Sequence, residues 1–184
     1  MEEKNKIKSI LREGVVGKIT KISVFDFDGT LVDTPLPDTG KGEYEAKTGV
    51  KWPYEGWWGR KESLDGNVFE MPVIPDVIRD YNIAKSNPST LKVMMTGRMA
   101  KLSNEVEIIL RAKNLSFDEY IYNRGGSTLD YKLKSLDRLI VKYPDVTEVE
   151  LWDDRLEHIP AFEQWGKDHP ELKFNINVVP SGHH

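Results

Sequence analysis

Two apolar periods take turns along this chain. Short apolar runs at residues 22–26, 91–95, 119–122, 146–152 and 174–179 read as strands. Between them, apolar side chains recur at helical spacing. Val77, Ile78, Tyr81 and Ala84 mark a helix starting near Pro75. Leu102, Val106, Ile109 and Leu110 mark another over 100–113. Leu133, Leu136, Leu139 and Ile140 mark a third, from Lys132 to the neighbourhood of Tyr143. Leu156, Ile159, Phe162 and Trp165 mark a fourth, which tolerates Pro160 only in its first turn. A short helix is also expected over residues 3–12, with Ile7, Ile10 and Leu11 on one face, broken by Gly14 and Gly17. Residues 33–70 depart from this pattern. Pro35, Pro37, Gly40, Gly42, Gly49, Pro53, Gly56, Gly59 and Gly66 punctuate them, so regular structure is expected to be sparse there.

Strands alternating with helices predict an α/β fold. The expected form is a Rossmann-like three-layer sandwich with a mostly parallel central sheet and right-handed crossovers. Ligands in such folds sit beyond the carboxyl ends of the strands. The chain's chemistry-bearing residues collect at those ends.

The first strand runs into Asp26-Phe27-Asp28-Gly29-Thr30. On an extended backbone, residues i and i+2 point to one side, so Asp26 and Asp28 are expected to face one small volume. Two carboxylates that close repel unless a cation or a shared proton intervenes. That leaves a hard-metal site, a nucleophile with an acid/base partner, or both. The second strand ends in Thr96-Gly97-Arg98. A hydroxyl and the unobstructed backbone N–H groups around a glycine suit a phosphoryl oxygen. A third strand ends in the adjacent acids Asp153 and Asp154. Mg²⁺ favours such oxygen donors, few in number, with retained waters and substrate phosphate.

Together with Lys132 where its helix is expected to begin, these segments resemble the four motifs of the haloacid-dehalogenase (HAD) superfamily, whose members are mostly Mg-dependent phosphatases working through an aspartyl-phosphate. The resemblance extends from Asp26 to Asp154, most of the chain. It implies that Asp26 is the nucleophile and that Asp28 protonates the leaving oxygen and then takes a proton from water. It implies that Thr96 and Lys132 hold the phosphoryl group, with Gly97 and Arg98 beside it. It further implies that Mg²⁺ is bound by Asp26, the Asp28 backbone carbonyl and one of the acidic pair, Asp154 in preference to Asp153.

Residues 33–70 stand where HAD enzymes carry a cap, so a small loop-rich insert and an accessible site are expected. Within it lies Gly56-Trp57-Trp58-Gly59-Arg60-Lys61-Glu62-Ser63-Leu64. Adjacent tryptophans cannot share a face of a regular element. Either one packs inward while the other reaches the cleft, or both only fix the insert to the domain. In the first case Trp57 or Trp58 stacks a base and Arg60 grips a phosphate. This segment, with Thr-Gly-Arg and Asp-Asp-Arg155-Leu-Glu-His158, is similar to the Swiss-army-knife RNA-repair-like HAD family. The Asp-Asp-Arg ending also resembles polynucleotide 3′-phosphatase domains. These likenesses imply a nucleotide or nucleic-acid end as substrate. The competing readings are a non-catalytic HAD-fold protein that binds a phosphorylated partner, and a small-metabolite phosphatase.

Composition narrows the rest. The 184 residues, 39% of them hydrophobic, suffice for a single domain. A net charge of −4 offers no global basic footprint for duplex nucleic acid, though a local site at a strand end remains compatible with it. No cysteine is present, which excludes disulfides, thiol catalysis and Cys-zinc sites. No apolar run is long enough to span a membrane, and Met1-Glu2-Glu3-Lys4 lacks a secretory core, so a cytoplasmic location is expected. His158 and His169 do not make a zinc motif. Residues 181–184, ending in His183-His184, read as a tag remnant.

Overall fold

A computed structural model describes residues 17–180. The helix expected over 3–12 and the terminal residues 181–184 lie outside them. Five strands form one parallel sheet: β1 (Lys21–Phe25), β2 (Thr90–Met99), β3 (Glu119–Asn123), β4 (Glu148–Asp153) and β5 (Lys173–Val178). Their order across the sheet is β3-β2-β1-β4-β5. The helices are α1 (Pro37–Thr48), α2 (Pro75–Ser86), α3 (Ser103–Ala112), α4 (Thr128–Lys142) and α5 (Ile159–Asp168), with 3₁₀ turns at Lys61–Leu64, Ala100–Leu102 and Leu156–His158.

The period-2 pattern sorts each strand's side chains onto two faces. Phe25, Met94 and Trp152 pack with Val77 and Tyr81 of α2 and Val106 and Leu110 of α3. Val24, Val93, Met95 and Leu151 pack on the other face with Leu136 and Leu139 of α4 and Phe162 and Trp165 of α5. This is the expected three-layer sandwich. Lys21 pairs with Thr90 on one side and Glu148 on the other, and Phe25 with Met94 and Trp152. β1 and β4 therefore end within a residue of each other while β2 runs on to Met99, and their carboxyl ends lie at one edge of the sheet.

The insert departs from expectation. Residues 37–48 form a 12-residue helix rather than irregular chain. Proline occupies the first turn, and Gly49 closes the helix in the left-handed region, its N–H donating to the Glu45 carbonyl. Glycines inside a helix normally weaken it, by about 1 kcal/mol each. Gly40 is buried here because the Trp57 indole lies against it, where any Cβ would collide with the ring. The packing of a large aromatic offsets the propensity loss.

Candidate active site

Beyond β1 the chain turns tightly. The Asp26 N–H donates to the Trp152 carbonyl at 3.0 Å, carrying the β1–β4 pairing one residue past the strand. The Leu31 N–H then returns to the Asp26 carbonyl, and Gly29 occupies the left-handed region. Asp26 and Asp28 both line a cavity of about 300 Å³ with Trp58, Gly97, Arg98, Thr128, Lys132, Asp154, Arg155 and Glu157.

The alternation of the sheet places the charges. Asp26 continues the parity of Val24, and Asp153 that of Leu151, so both lie on the α4 side. There Lys132, 2% exposed, donates to Asp26 Oδ1 at 3.1 Å and to Asp153 Oδ2 at 2.7 Å. The second oxygen of Asp153, Oδ1, accepts the Arg155 N–H at 2.9 Å. Lys132 sits a full turn inside α4 rather than at its start. Ser127 caps the helix four residues earlier than expected, its hydroxyl accepting the Asp130 N–H at 3.1 Å. Thr128 and Lys132 are thereby one turn apart on the face that meets the cavity.

Asp26, Asp153 and Asp154 present carboxylate oxygens within 4.8 Å of one another. Lys132 is the ammonium among them. Burial pushes the Asp26 carboxyl well above the usual range; Lys132 opposes this, while Asp153 and Asp154 reinforce it. Burial works against the Lys132 charge, but Asp153 and Asp26 outweigh it and hold the ammonium above its ordinary value. Three convergent oxygen donors beside a single lysine suit a hard divalent cation, and Mg²⁺ fits this donor set. Asp153 already spends both oxygens on protein donors, whereas Asp154 lines the cavity. The Asp28 carboxylate is not part of this group, because Arg98 and Thr34 hold it.

Arg98 is almost wholly buried and grips Asp28 bidentately, Nε to Oδ2 at 2.9 Å and Nη2 to Oδ1 at 2.7 Å. Thr34 Oγ1 adds a third bond at 2.6 Å. Arg98 Nη1 donates to the Trp58 carbonyl at 2.9 Å and to Ser63 Oγ at 2.8 Å, which ties the insert to Asp28. The first aspartate thus sits among carboxylates and the second in an arginine fork.

The expected phosphate and base contacts divide. Trp58 lines the cavity at 40% exposure, its ring 4.9 Å from the Arg98 guanidinium. Gly97 also lines it, and a Cβ there would meet Thr128 Cγ2 at 2.6 Å. Three residues fall elsewhere. Trp57 is buried in the core, its Nε1 donating to the Pro35 carbonyl at 3.0 Å. Arg60 lies over the Tyr54 ring at 4.0 Å and against Glu62 at 3.5 Å, so a phosphate grip by it is corrected to a contact within the insert. Thr96 is buried and does not line the cavity, and its Oγ1 accepts the Arg98 N–H at 3.1 Å. Thr34, Ser63, Thr128 and Glu157 were not anticipated. Only Thr128 carried a signal, the capping pattern Ser127-Thr128-Leu129-Asp130. His158 is buried against Phe162, with burial lowering its basicity, and His169 stacks on Trp165.

The family model for HAD domain family 1 in Swiss Army Knife RNA repair proteins matches residues 48–182. The match covers Trp58, Gly97, Arg98, Lys132 and the acidic pair and begins after Asp26 and Asp28. The chain is 26% identical over 186 aligned positions to Uncharacterized protein YMR265C of Saccharomyces cerevisiae. The alignment covers 88% of this chain but spans only 40% of that relative's length. Two solved structures share the fold. One is a Pnkp1/Rnl/Hen1 complex, with TM-score 0.56, 17% identity, and coverage of 90% of this chain and 47% of the other. The second is the HAD domain of effector protein Lem4 from Legionella pneumophila, with TM-score 0.55, 14% identity, and coverage of 91% and 90%.

Proposed function

The chain belongs to HAD domain family 1 of the Swiss Army Knife RNA repair proteins, and from that membership we propose that it is a phosphomonoester hydrolase with Asp26 as nucleophile. The observation that carries this reading is Asp26 itself. It is a buried carboxylate at a strand end, held by Lys132 beside two further acids, on the wall of a cavity that also receives Asp28.

An Asp26 oxygen attacks phosphorus in line, and the bond from phosphorus to the ester oxygen breaks. A proton on Asp28 passes to the departing oxygen, which leaves as an alcohol. Asp28 then takes a proton from water as that water attacks the phosphoryl group, which frees Asp26 and releases phosphate. The Arg98 fork and Thr34 fix the plane of the Asp28 carboxyl through both halves of the cycle. Lys132 keeps Asp26 and Asp153 in place, and Gly97 lets β2 pass close to Thr128 at the cavity wall, where its backbone can meet a phosphoryl oxygen. A divalent cation bound by Asp26 and Asp154, with the Asp28 backbone carbonyl, would neutralise charge on the carboxylate and a phosphoryl oxygen.

For substrate class we favour the terminal phosphate of a nucleotide or nucleic-acid strand. Support comes from the RNA-repair setting of the family and from Trp58, a half-exposed ring beside the cavity that can stack a base. The test is phosphate release with Mg²⁺ from p-nitrophenyl phosphate, sugar phosphates and 3′- or 5′-phosphorylated oligonucleotides. Asp26→Asn should keep its circular-dichroism spectrum and lose turnover on all of them. Near-wild-type turnover in that variant would overturn the covalent route. Equal preference for sugar phosphates would overturn the substrate class alone.

A further inference from the structure

We propose that a second cavity, on the adjoining face of α4, holds the single-stranded nucleic acid behind the terminal phosphate. This rests on the reading of the substrate as a nucleic-acid end. The cavity measures about 280 Å³ and lies between the edge strand β3 and α4. Tyr120 and Arg124 line it from the β3 side, and Tyr131, Ser135, Arg138 and Lys142 from the helix. Glu119 also lines it, but its carboxylate is already taken by the Tyr143 hydroxyl and by the Lys142 ammonium at 3.2 Å. Arg124 and Arg138 therefore give this cavity a positive balance, in a chain whose net charge is −4. The Arg138 guanidinium lies 5.4 Å from the centre of the half-buried Tyr131 ring. A cation and an aromatic face side by side are what a phosphodiester and its base require: the arginines take the phosphate and the tyrosine stacks the base.

Position along α4 carries the argument further. Tyr131, Ser135, Arg138 and Lys142 recur at helical spacing and share one face, while Thr128 and Lys132 share the next. Tyr131 and Lys132 are consecutive residues that line different cavities. One helix thus offers a lysine to the reacting phosphate and, around its side, a tyrosine-arginine wall. The turn Arg124-Gly125-Gly126-Ser127 joins them at the rim, with both glycines at positive φ. From Lys132 to Lys142 the helix rises about 15 Å. A ligand that touches both faces is a chain rather than a mononucleotide.

The experiment measures binding apart from hydrolysis. Fluorescence anisotropy follows a labelled single-stranded oligonucleotide of about ten residues without a terminal phosphate, as RNA and as DNA. The full chain should bind it, and the double variant Arg124→Gln/Arg138→Gln should bind roughly tenfold more weakly, with the salt slope reduced by about 1.4, at about 0.7 per phosphate contact. Tyr131→Phe should bind as wild type, since the ring is kept, and Tyr131→Ala should weaken binding by roughly tenfold. In turnover assays the arginine variants should raise KM on a phosphorylated oligonucleotide and leave a nucleoside monophosphate within about twofold. RNA binding tighter than DNA, or the reverse, identifies the strand, and either upholds the site. Unchanged oligonucleotide affinity in the arginine variants, or no binding by the wild type, overturns it. So does competition by poly-glutamate as strong as that by the oligonucleotide, since charge alone would then explain the binding. Binding without any phosphate release would uphold the strand site and refute the hydrolase reading. Mononucleotide hydrolysis without oligonucleotide binding would do the opposite.

Discussion

Two regions border the reaction cavity and are built on opposite principles. The strand ends of β1 and β4, with α4, supply ionised groups: Asp26, Asp153, Asp154 and Lys132, all buried. Their positions follow from backbone register, so each charge is held by the sheet that the core assembles. The insert, residues 33–70, is built from aromatic packing. Trp52 and Trp57 lie 4.7 Å apart, Trp57 meets Phe69 at 5.7 Å, and only the Trp58 ring reaches the cavity. Arg98 bridges the two regions, holding Asp28 with one side of its guanidinium and the insert with Nη1, and Thr34 of the insert bonds Asp28 as well. Chemistry is thus placed by the sheet. The insert is fastened to it at Asp28, the acid/base of the proposed mechanism, so a shift of the insert would move that carboxylate.

The sharpest break in this contrast is Lys132→Met. It leaves Asp26 and Asp153 without their common cation in a buried place, which typically costs about 3–5 kcal/mol. Thermal unfolding should show that loss, and added Mg²⁺ should restore part of it. A variant as stable as wild type without metal would mean that the acids do not depend on Lys132.

Within the insert, Trp57→Ala and Trp58→Ala should separate. Trp57→Ala empties a core position and should cost about 3–5 kcal/mol in denaturant unfolding. Its losses in turnover should be alike on all substrates. Trp58→Ala should change stability by less than about 1 kcal/mol, because the ring is half exposed. It should lower kcat/KM on an oligonucleotide by roughly tenfold, and by less on a small ester that has no base to stack. Equal behaviour of the two variants would erase the distinction between packing and recognition.

A smaller effect tests the electrostatics. Burial and the neighbouring aspartates raise the Asp26 carboxyl in the folded state above its ordinary value of 3.8, against the pull of Lys132. The folded chain then holds a proton that the unfolded chain has released. Stability contributed by this group is fullest below pH 3.8 and declines as pH rises through the folded value. Asp26→Asn removes that decline. In metal-free buffer at neutral pH the variant should melt above wild type, with the two converging as pH falls. Mg²⁺ should reverse the order, since only the carboxylate gains from the cation. A variant less stable than wild type in chelator would show that Lys132 outweighs the repulsion.

Sequence carried the site as far as backbone register carries it. Asp26, Gly97, Lys132 and the acidic pair stand where strand ends and one helix face must put them, and the alternation of apolar positions reveals those ends. It could not resolve what depends on tertiary packing. Gly40 looks like a helix breaker until Trp57 is seen lying on it. Arg60 looks like a phosphate ligand because it follows two tryptophans, yet Tyr54 and Glu62 are nearer. Thr96 looks like a cavity hydroxyl, yet it is buried and its Oγ1 accepts the Arg98 N–H. Asp28 lines the same cavity as Asp26, as the i, i+2 spacing predicts, but the arginine fork that holds its carboxylate is formed by a residue 70 positions away and has no local signal. The tyrosine-arginine wall of α4 has no sequence signature, because Arg124 and Arg138 are 14 residues apart and an acidic chain hides a local excess of positive charge.

Covalent chemistry at Asp26 is open to one direct measurement. Wild type and Asp28→Asn are mixed with a turned-over phosphate ester and Mg²⁺, quenched in acid and digested, and the peptide containing residues 22–31 is weighed. A phosphoryl group adds about 80 Da, and it should appear on Asp26, more strongly in Asp28→Asn because the water that releases it has lost its base. Phosphate release with no adduct on that peptide in either protein, or an adduct on another residue, would contradict the assignment.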